Sequence, residues 1–300
     1  MKINRYYTPK ETLEPRLTAH SEAKPQSIIP FVGAAKTSLL ANIFAPGIKM
    51  IVTDLDGTLL REDKTISDYT ASVFQRCRDK GVVLAFATAR SDRSASRFIA
   101  QIQPELFMGY GGALVSAGDR VICRFDIPKE VSNTLIAECE NASEIFAVYA
   151  INEKTALTND RAFTLLKDYS HYKYDDFKCP PGQSFLKISV RSHDQCFVEA
   201  LASRYPMCDI LRYSGETLYR FANRDAVKGK AVRSAMEHLG ISVAETVAFG
   251  DDYNDIEMLY GCGIGIAVAN AIDEVKNVAD YICDTNDNDG VAKWLEQNIL

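Results

Sequence analysis

The chain has 300 residues, 47% hydrophobic and 25% charged, a composition that suits a globular protein of about two domains. A net charge of −6 argues against nucleic acid or an anionic membrane as the main partner, and no apolar run approaches a bilayer span. The eight cysteines are scattered with no C-x-x-C pair, which disfavours a zinc or redox motif and fits reduced thiols in a cytoplasmic protein.

Residues 1–47 differ from the rest. Pro9, Pro15, Pro25, Pro30 and Pro46 punctuate a polar stretch whose one apolar patch is Thr37–Phe44, so a poorly ordered extension is expected. It does not read as a secretory signal, and Glu11, Glu14 and Glu22 count against a transit peptide. From Lys49 a buried strand is expected through Asp54, stopped by the turn residues Asp56-Gly57. An amphipathic helix over Asp68–Lys80 ends at Gly81, and a second apolar strand follows over Val82–Ala87. Ser91 or Asp92 can cap a helix whose buried stripe is Ala95, Phe98, Ile99 and Ile102. Leu106–Tyr110 reads as a third strand broken by Gly111 and Gly112, and residues 113–126 as a hairpin turning at Gly118-Asp119.

The rhythm then changes. A helix over Lys129–Cys139 precedes strands at Ile145–Ile151, Thr155–Thr158 and Phe185–Val190, a helix over Gln195–Tyr205, and strands at Asp209–Tyr213 and Thr217–Phe221. Helices followed by paired strands suggest an α+β unit on an antiparallel sheet. The Tyr-rich stretch Tyr169–Gln183, ending in Pro180-Pro181, reads either as an exposed connection or as a loop facing a substrate. The alternating pattern resumes with helix Lys228–Leu239, strand Thr246–Phe249, a short helix Asp255–Tyr260, strand Ile264–Val268, helix Ala271–Val278, strand Tyr281–Cys283 and helix Val291–Ile299. Strand–helix repetition on either side of the interruption builds a parallel sheet with right-handed crossovers.

Chemistry concentrates where these strands end. Asp54 and Asp56 stand at the first tip, the edge where open α/β sheets bind ligands. A calcium loop does not fit, because Gly57 comes too early and no Glu closes it. Thr88 follows the second strand; taken alone, a strand-ending Thr is structural. Lys228 opens a helix, an unfavourable place for a cation unless carboxylates or an anionic ligand lie nearby; a solvated surface lysine is the plainer reading. Gly250-Asp251-Asp252-Tyr253-Asn254-Asp255 places three acids and an Asn behind an apolar strand, more than the one acid a helix cap needs. Asp251 and Asp255 are four apart, which one helical turn would bring to one side. If the tips adjoin, Asp54, Asp56, Asp251 and Asp255 converge, and an oxygen-only set of this kind suits Mg²⁺.

With these motifs in order, the chain resembles the haloacid dehalogenase (HAD) superfamily: Asp-Leu-Asp-Gly-Thr-Leu-Leu at 54–60, Ala-Thr-Ala-Arg at 87–90, Lys-Gly at 228–229 and Gly-Asp-Asp-Tyr-Asn-Asp at 250–255. The insertion between the second and third motifs, and Asp-Gly-Val-Ala at 289–292, are similar to the Cof-type subgroup with its large α/β cap. The resemblance implies an α/β protein: a Rossmann-like parallel-sheet core over 48–127 and 223–300, with an α+β cap over 128–222. It implies a phosphatase acting on a small phosphorylated metabolite, with Asp54 as nucleophile and Asp56 as general acid and base. Mg²⁺ would be held by Asp54, Asp251 and the Asp56 carbonyl, with Asp255 supporting it; Thr88, Lys228 and Asn254 would bind the phosphoryl group. The chain departs from the family at Ala89, where Gly is usual, and at Gly111, where Asn is common. Ala89 is tolerable if its backbone is not left-handed.

Other features take plain readings. Gly261-Cys262-Gly263-Ile264-Gly265 is a tight turn rather than a dinucleotide fingerprint, no P-loop occurs, and His20, His171, His193 and His238 show no ligand spacing. A phosphomutase of the same fold and a metabolite sensor without turnover remain alternatives, and a monomer or small homo-oligomer is expected. Deleting residues 1–46 is expected to leave hydrolysis intact; a truncated chain that fails to fold, read by circular dichroism, overturns that expectation.

Overall fold

The structure is a computed structural model that describes residues 47–212 and 217–300. The extension expected over residues 1–46, and Tyr213 at the end of one expected strand, lie outside the described residues. The first segment runs β1 (Met50–Thr53), α1 (Asp68–Asp79), β2 (Val83–Ala87), α2 (Asp92–Ile102), β3 (Leu106–Gly109), and the hairpin β4 (Leu114–Ala117) and β5 (Arg120–Arg124). The middle segment runs α3 (Lys129–Glu140), β6 (Ile145–Ile151), β7 (Ala156–Thr158), α4 (Arg161–Thr164), β8 (Lys173–Tyr174), β9 (Lys187–Ser192), α5 (Gln195–Ser203), β10 (Cys208–Arg212) and β11 (Leu218–Asn223). The last comprises α6 (Lys228–Leu239), β12 (Thr246–Gly250), α7 (Ile256–Gly261), β13 (Ile264–Val268), α8 (Asp273–Val278), β14 (Tyr281–Cys283) and α9 (Gly290–Asn298).

The outer segments share one sheet in the order β14-β13-β12-β1-β2-β3-β4-β5. It is parallel from β14 to β3, and the β3–β4–β5 edge is antiparallel. β1 sits inside it, with Met50–Thr53 paired to Thr246–Phe249 on one side and Val83–Phe86 on the other. A strand covered on both faces is dominated by apolar residues, and β1 is buried at every position; its one polar side chain, Thr53, donates its hydroxyl to the Asp54 carbonyl at 2.7 Å. Ile51 joins Phe86, Phe249 and the apolar stripes of α1, α2 and α9, while Met50 and Val52 join Ala231, Val232, Ala235 and Met236 of α6. α2 is capped as the sequence suggests: the Ser91 side chain accepts from Ser94 N at 3.1 Å.

The middle segment forms its own sheet, ordered β10-β11-β9-β6-β7-β8 and antiparallel except for β7–β8. One face packs α3 and α5 through Leu135, Ile136, Val198 and Leu201 against Val148, Ile188, Val190 and Phe221. The other face turns toward the core, where Ile151, Ala156, Leu186 and Ala222 meet Tyr110, Ala113 and Leu114. No helix among the described residues is long and apolar enough to cross a membrane.

The Asp289-Gly290 step near the C-terminus also has a structural cause. Asp289 adopts φ +55° and accepts hydrogen bonds from Arg61, Ser67 and Thr70, tying the segment after β1 to the start of α9. A Cβ at residue 290 would lie 1.9 Å from the Asp284 carbonyl oxygen, so only glycine fits.

Phe86 fills the interface between the core sheet and its helices and is fully buried. Phe86→Ala is expected to cost about 3–5 kcal/mol, read as a lower urea midpoint with an unchanged slope.

Candidate active site

Parallel pairing sets the carboxyl ends of β2, β1 and β12 side by side on one edge of the sheet. Asp54 follows β1 directly, and its N–H donates to the Phe249 carbonyl at 3.0 Å, so the β1 tip is stitched to β12. Lys228 is the first residue of α6 and is 1% exposed. Its Nζ donates to Asp54 Oδ1 and to Asp255 Oδ1, each at 2.6 Å. This explains a cation at a helix N-terminus, since the two carboxylates outweigh the unfavourable dipole.

The 250–255 segment does not form one continuous turn. Asp252 caps a short 3₁₀ turn, Tyr253–Asp255, and Asp251 lies outside it. Asp255, fully buried, turns back so that its Oδ2 accepts from the Asp251 and Asp252 N–H groups at 3.0 and 3.1 Å. Asp251 accepts from the Thr58 hydroxyl at 2.7 Å. Carboxylate oxygens of Asp54, Asp251 and Asp255 all lie within 4.8 Å of one another. Three of the four acids expected to converge do so, through a returning loop rather than one helical turn; the Asp56 carboxylate does not join them.

Glycines make the crowding possible. Gly57 has φ +86°, and a Cβ there would sit 2.3 Å from Asp251 Oδ2. Gly112 has φ +99°, and a Cβ there would lie 2.5 Å from the Val227 carbonyl and 2.9 Å from Lys228 N. The loop after β3 can therefore press against the start of α6.

Burial pushes the Asp54 carboxyl up to about 8; Lys228 opposes that shift, and Asp255 and Asp251 add to it. Burial likewise lifts Asp251 to about 6, against the Thr58 hydrogen bond and with the help of Asp255. Burial alone would lower the Lys228 ammonium, but Asp255 and Asp54 outweigh it and drive its pKa up, so the amine stays charged. Oxygen donors this close, with their negative form disfavoured, suit a hard divalent cation. Asp54 and Asp251 have oxygens to offer; both oxygens of Asp255 are already engaged.

Asp56 stands apart from this cluster. Its carboxylate takes a bidentate pair from Arg90, Nε to Oδ2 at 2.6 Å and Nη2 to Oδ1 at 2.8 Å, and Lys64 lies 3.1 Å from Oδ1. Partial burial pushes its carboxyl up, but Arg90 and Lys64 win and hold it below the usual carboxylate range. Thr88 is buried at the β2 tip, where its hydroxyl accepts from Arg90 N at 3.1 Å and its carbonyl accepts from Gly111 N at 2.9 Å. Ala89 has no positive φ, which meets the condition for replacing the usual glycine. Asn254 is exposed within the 3₁₀ turn.

Two cavities lie outside the acid cluster. One of about 500 Å³ lies on the cap, lined by Thr134, Glu138, Phe197 and Arg204, away from the acids. The other, about 410 Å³, lies at the seam between Ser91–Arg93 and Tyr110 of the core and Ile151–Ala156, Ser170, His171 and Lys173 of the cap. Part of the Tyr-rich stretch thus faces the seam.

A family model described as haloacid dehalogenase-like hydrolase matches residues 51–295. The chain belongs to this family. Among curated HAD relatives, a Bacillus subtilis protein named 5-amino-6-(5-phospho-D-ribitylamino)uracil phosphatase is 28% identical over 83% of this chain and 96% of its own length. An Escherichia coli HMP-PP phosphatase is 27% identical over 76% of this chain and 86% of its own. The crystal structure of a haloacid dehalogenase-like hydrolase from Bacteroides thetaiotaomicron superposes with a TM-score of 0.72 at 23% identity, covering 83% of this chain and 99% of that one.

Within this HAD site, sequence reasoning assigned no role to Arg90, Lys64 or Thr58. Arg90 stood in the quoted Ala-Thr-Ala-Arg motif, and its charge beside two acidic motifs was the available signal. Thr58 likewise stood in the quoted 54–60 motif, whereas Lys64 carried no signal, because only the folded loop brings it to Asp56. Removing the ammonium leaves Asp54 and Asp255 buried without a counter-charge. Lys228→Met is expected to destabilise the protein by about 3–5 kcal/mol, measured by urea unfolding; an unchanged midpoint would contradict this account of the triad.

Proposed function

We propose that this chain is a Mg²⁺-dependent phosphatase that hydrolyses a small phosphorylated metabolite through an aspartyl-phosphate on Asp54. The observation that carries the reading is the buried Lys228 ammonium bonded to Asp54 and Asp255 at the tips of adjoining strands, with Asp251 within metal-sharing distance. The names of the curated relatives, phosphatases of small phosphorylated compounds, support the same reaction class. A Mg²⁺ ion held by Asp54, Asp251 and the Asp56 carbonyl would supply neutralising charge to the phosphoryl oxygens.

The protein's groups divide the remaining work. An Asp54 carboxylate oxygen attacks phosphorus in line, and the bond to the leaving oxygen breaks. Asp56 is ionised while Arg90 and Lys64 hold it; to serve as the acid it must leave those cations, take up a proton and give that proton to the leaving oxygen. Water then attacks the phosphorus of the acyl phosphate, Asp56 takes the water's proton, and inorganic phosphate departs with both carboxyls restored. Lys228 and Thr88 would face the phosphoryl oxygens, and Asn254, exposed in the turn that ends at Asp255, would help to orient the group. Asp255 keeps Lys228 in place and orders the 251–252 backbone. The cap, seated on the core through Ile151, Ala156 and Ala222, would shelter the reaction from bulk water.

Asp54→Asn keeps the shape and removes the nucleophile. Turnover of phosphomonoesters is expected to fall by about a thousandfold or more, a loss of about 4 kcal/mol of transition-state stabilisation. Treatment with a chelator is expected to abolish wild-type turnover and added Mg²⁺ to restore it, followed by phosphate release. Retained hydrolysis in the Asn variant overturns the nucleophile assignment.

A further inference from the structure

The core-facing side of the cap sheet carries positive charge that nothing in the described structure neutralises. Strand alternation fixes which residues lie there. Ile188 and Val190 of β9 and Tyr219 and Phe221 of β11 point into the cap's own hydrophobic cluster. Lys187, Ser189 and Arg191, with Arg220, therefore lie on the opposite face, the one whose Ile151 and Ala222 meet the core. Arg220 is opposite Ser189, and Arg191 is opposite Leu218. Lys187 and Arg191 thus sit diagonally across from Arg220, within reach of one another's long side chains.

Arg220 is the most telling of these cations. Its Nε is buried with no hydrogen-bond partner. Its Nη1 lies against the loop after β3, 2.6 Å from where a Cβ on Gly111 would be. Gly111 N in turn bonds the Thr88 carbonyl, so one loop links the guanidinium to the tip of β2, the strand beside β1. Any side chain at position 111 would push Arg220 aside. Arg191 lies over the Tyr149 ring at 5.6 Å, and Tyr149 is tethered by Asp160. Neither arginine nor Lys187 has an acidic partner among the described residues, although the chain as a whole carries a net charge of −6. A half-buried guanidinium with an unmet donor is costly unless a ligand completes it.

We propose that Arg220, flanked by Arg191 and Lys187, receives a second anionic group of the substrate. The favoured substrates are then phosphomonoesters whose leaving group carries a further phosphate or carboxylate. A guanidinium fork bonds either group in bidentate fashion, and the two neighbouring cations add attraction without fixing geometry. The inference rests on reading the strand-tip site as the phosphatase site.

The test is calorimetric binding in Mg²⁺ to full-length Asp54→Asn protein, which does not consume the ligand. Fructose 6-phosphate, fructose 1,6-bisphosphate and 6-phosphogluconate are the probes. One or both of the doubly anionic probes are expected to bind about tenfold or more tightly than fructose 6-phosphate. The bisphosphate binding tighter identifies a phosphate subsite, and the phosphogluconate a carboxylate subsite. Adding Arg220→Gln, which keeps the stem, is expected to erase the preference while leaving fructose 6-phosphate affinity nearly unchanged; Arg220→Lys restores part of it. Should Arg220→Gln fail to fold, Arg191→Ala is expected to reduce the same preference. Equal affinity for all probes, no binding by any, or a preference untouched by these substitutions overturns the inference. Wild-type release of inorganic phosphate from the three probes is read separately: its absence from all three alongside an Arg220-dependent charge preference removes hydrolysis only, and its presence without that preference removes the subsite only.

Discussion

One ammonium group, buried between two carboxylates, governs the arrangement of the core. Lys228 reaches Asp54 from α6 and Asp255 from the turn after β12, so three chain segments are held by its hydrogens. Taking such charges out of water is expensive, and a hydrophobic trio of equal volume would serve stability as well or better. The cost makes sense only where charge has a task. Around it the chain makes room by omission: Gly57 clears space for the Asp251 carboxylate, and Gly112 lets a loop lie on the start of α6.

The acids at this edge divide into distinct positions. Asp54 and Asp251 keep oxygens available. Asp255 spends both of its oxygens on internal bonds, and Asp56 is drawn outward to Arg90 and Lys64. Four carboxylates, in two pairs from opposite ends of the chain, thus have three different electrostatic settings. Burial dominates at Asp54 and Asp251, and cationic partners dominate at Asp56.

Much of this was legible in the chain. The α6 stripe and its Gly240 stop gave Lys228–Leu239 to the residue, and β13 and β14 matched their apolar runs, because long periodic segments bounded by turn residues leave few alternatives. The stretch between β7 and β9 was not legible. It holds a four-residue helix and the two-residue β8, too short to show any period, and its order comes from rings packing together, as Phe163 does on Tyr149, Tyr169 and Tyr172. At the site, residue types announced themselves but partners did not. Nothing local to Arg90 says that it will grip Asp56 across 34 positions, and the reason Gly57 must be glycine lies 194 residues further on, in Asp251.

The place of β1 in the sheet has a consequence for how the protein comes into being. Its neighbour on one side, β2, follows within a few dozen residues, but its neighbour on the other, β12, begins only at Thr246. A ribosome must therefore deliver the entire cap before the central strand can acquire its second partner. Until then an unpaired strand edge, apolar at three of its four positions, stays open on the nascent chain. The inserted segment, with its own sheet and its own hydrophobic cluster, can collapse during that wait, leaving the late-arriving β12, β13 and β14 to close the first sheet.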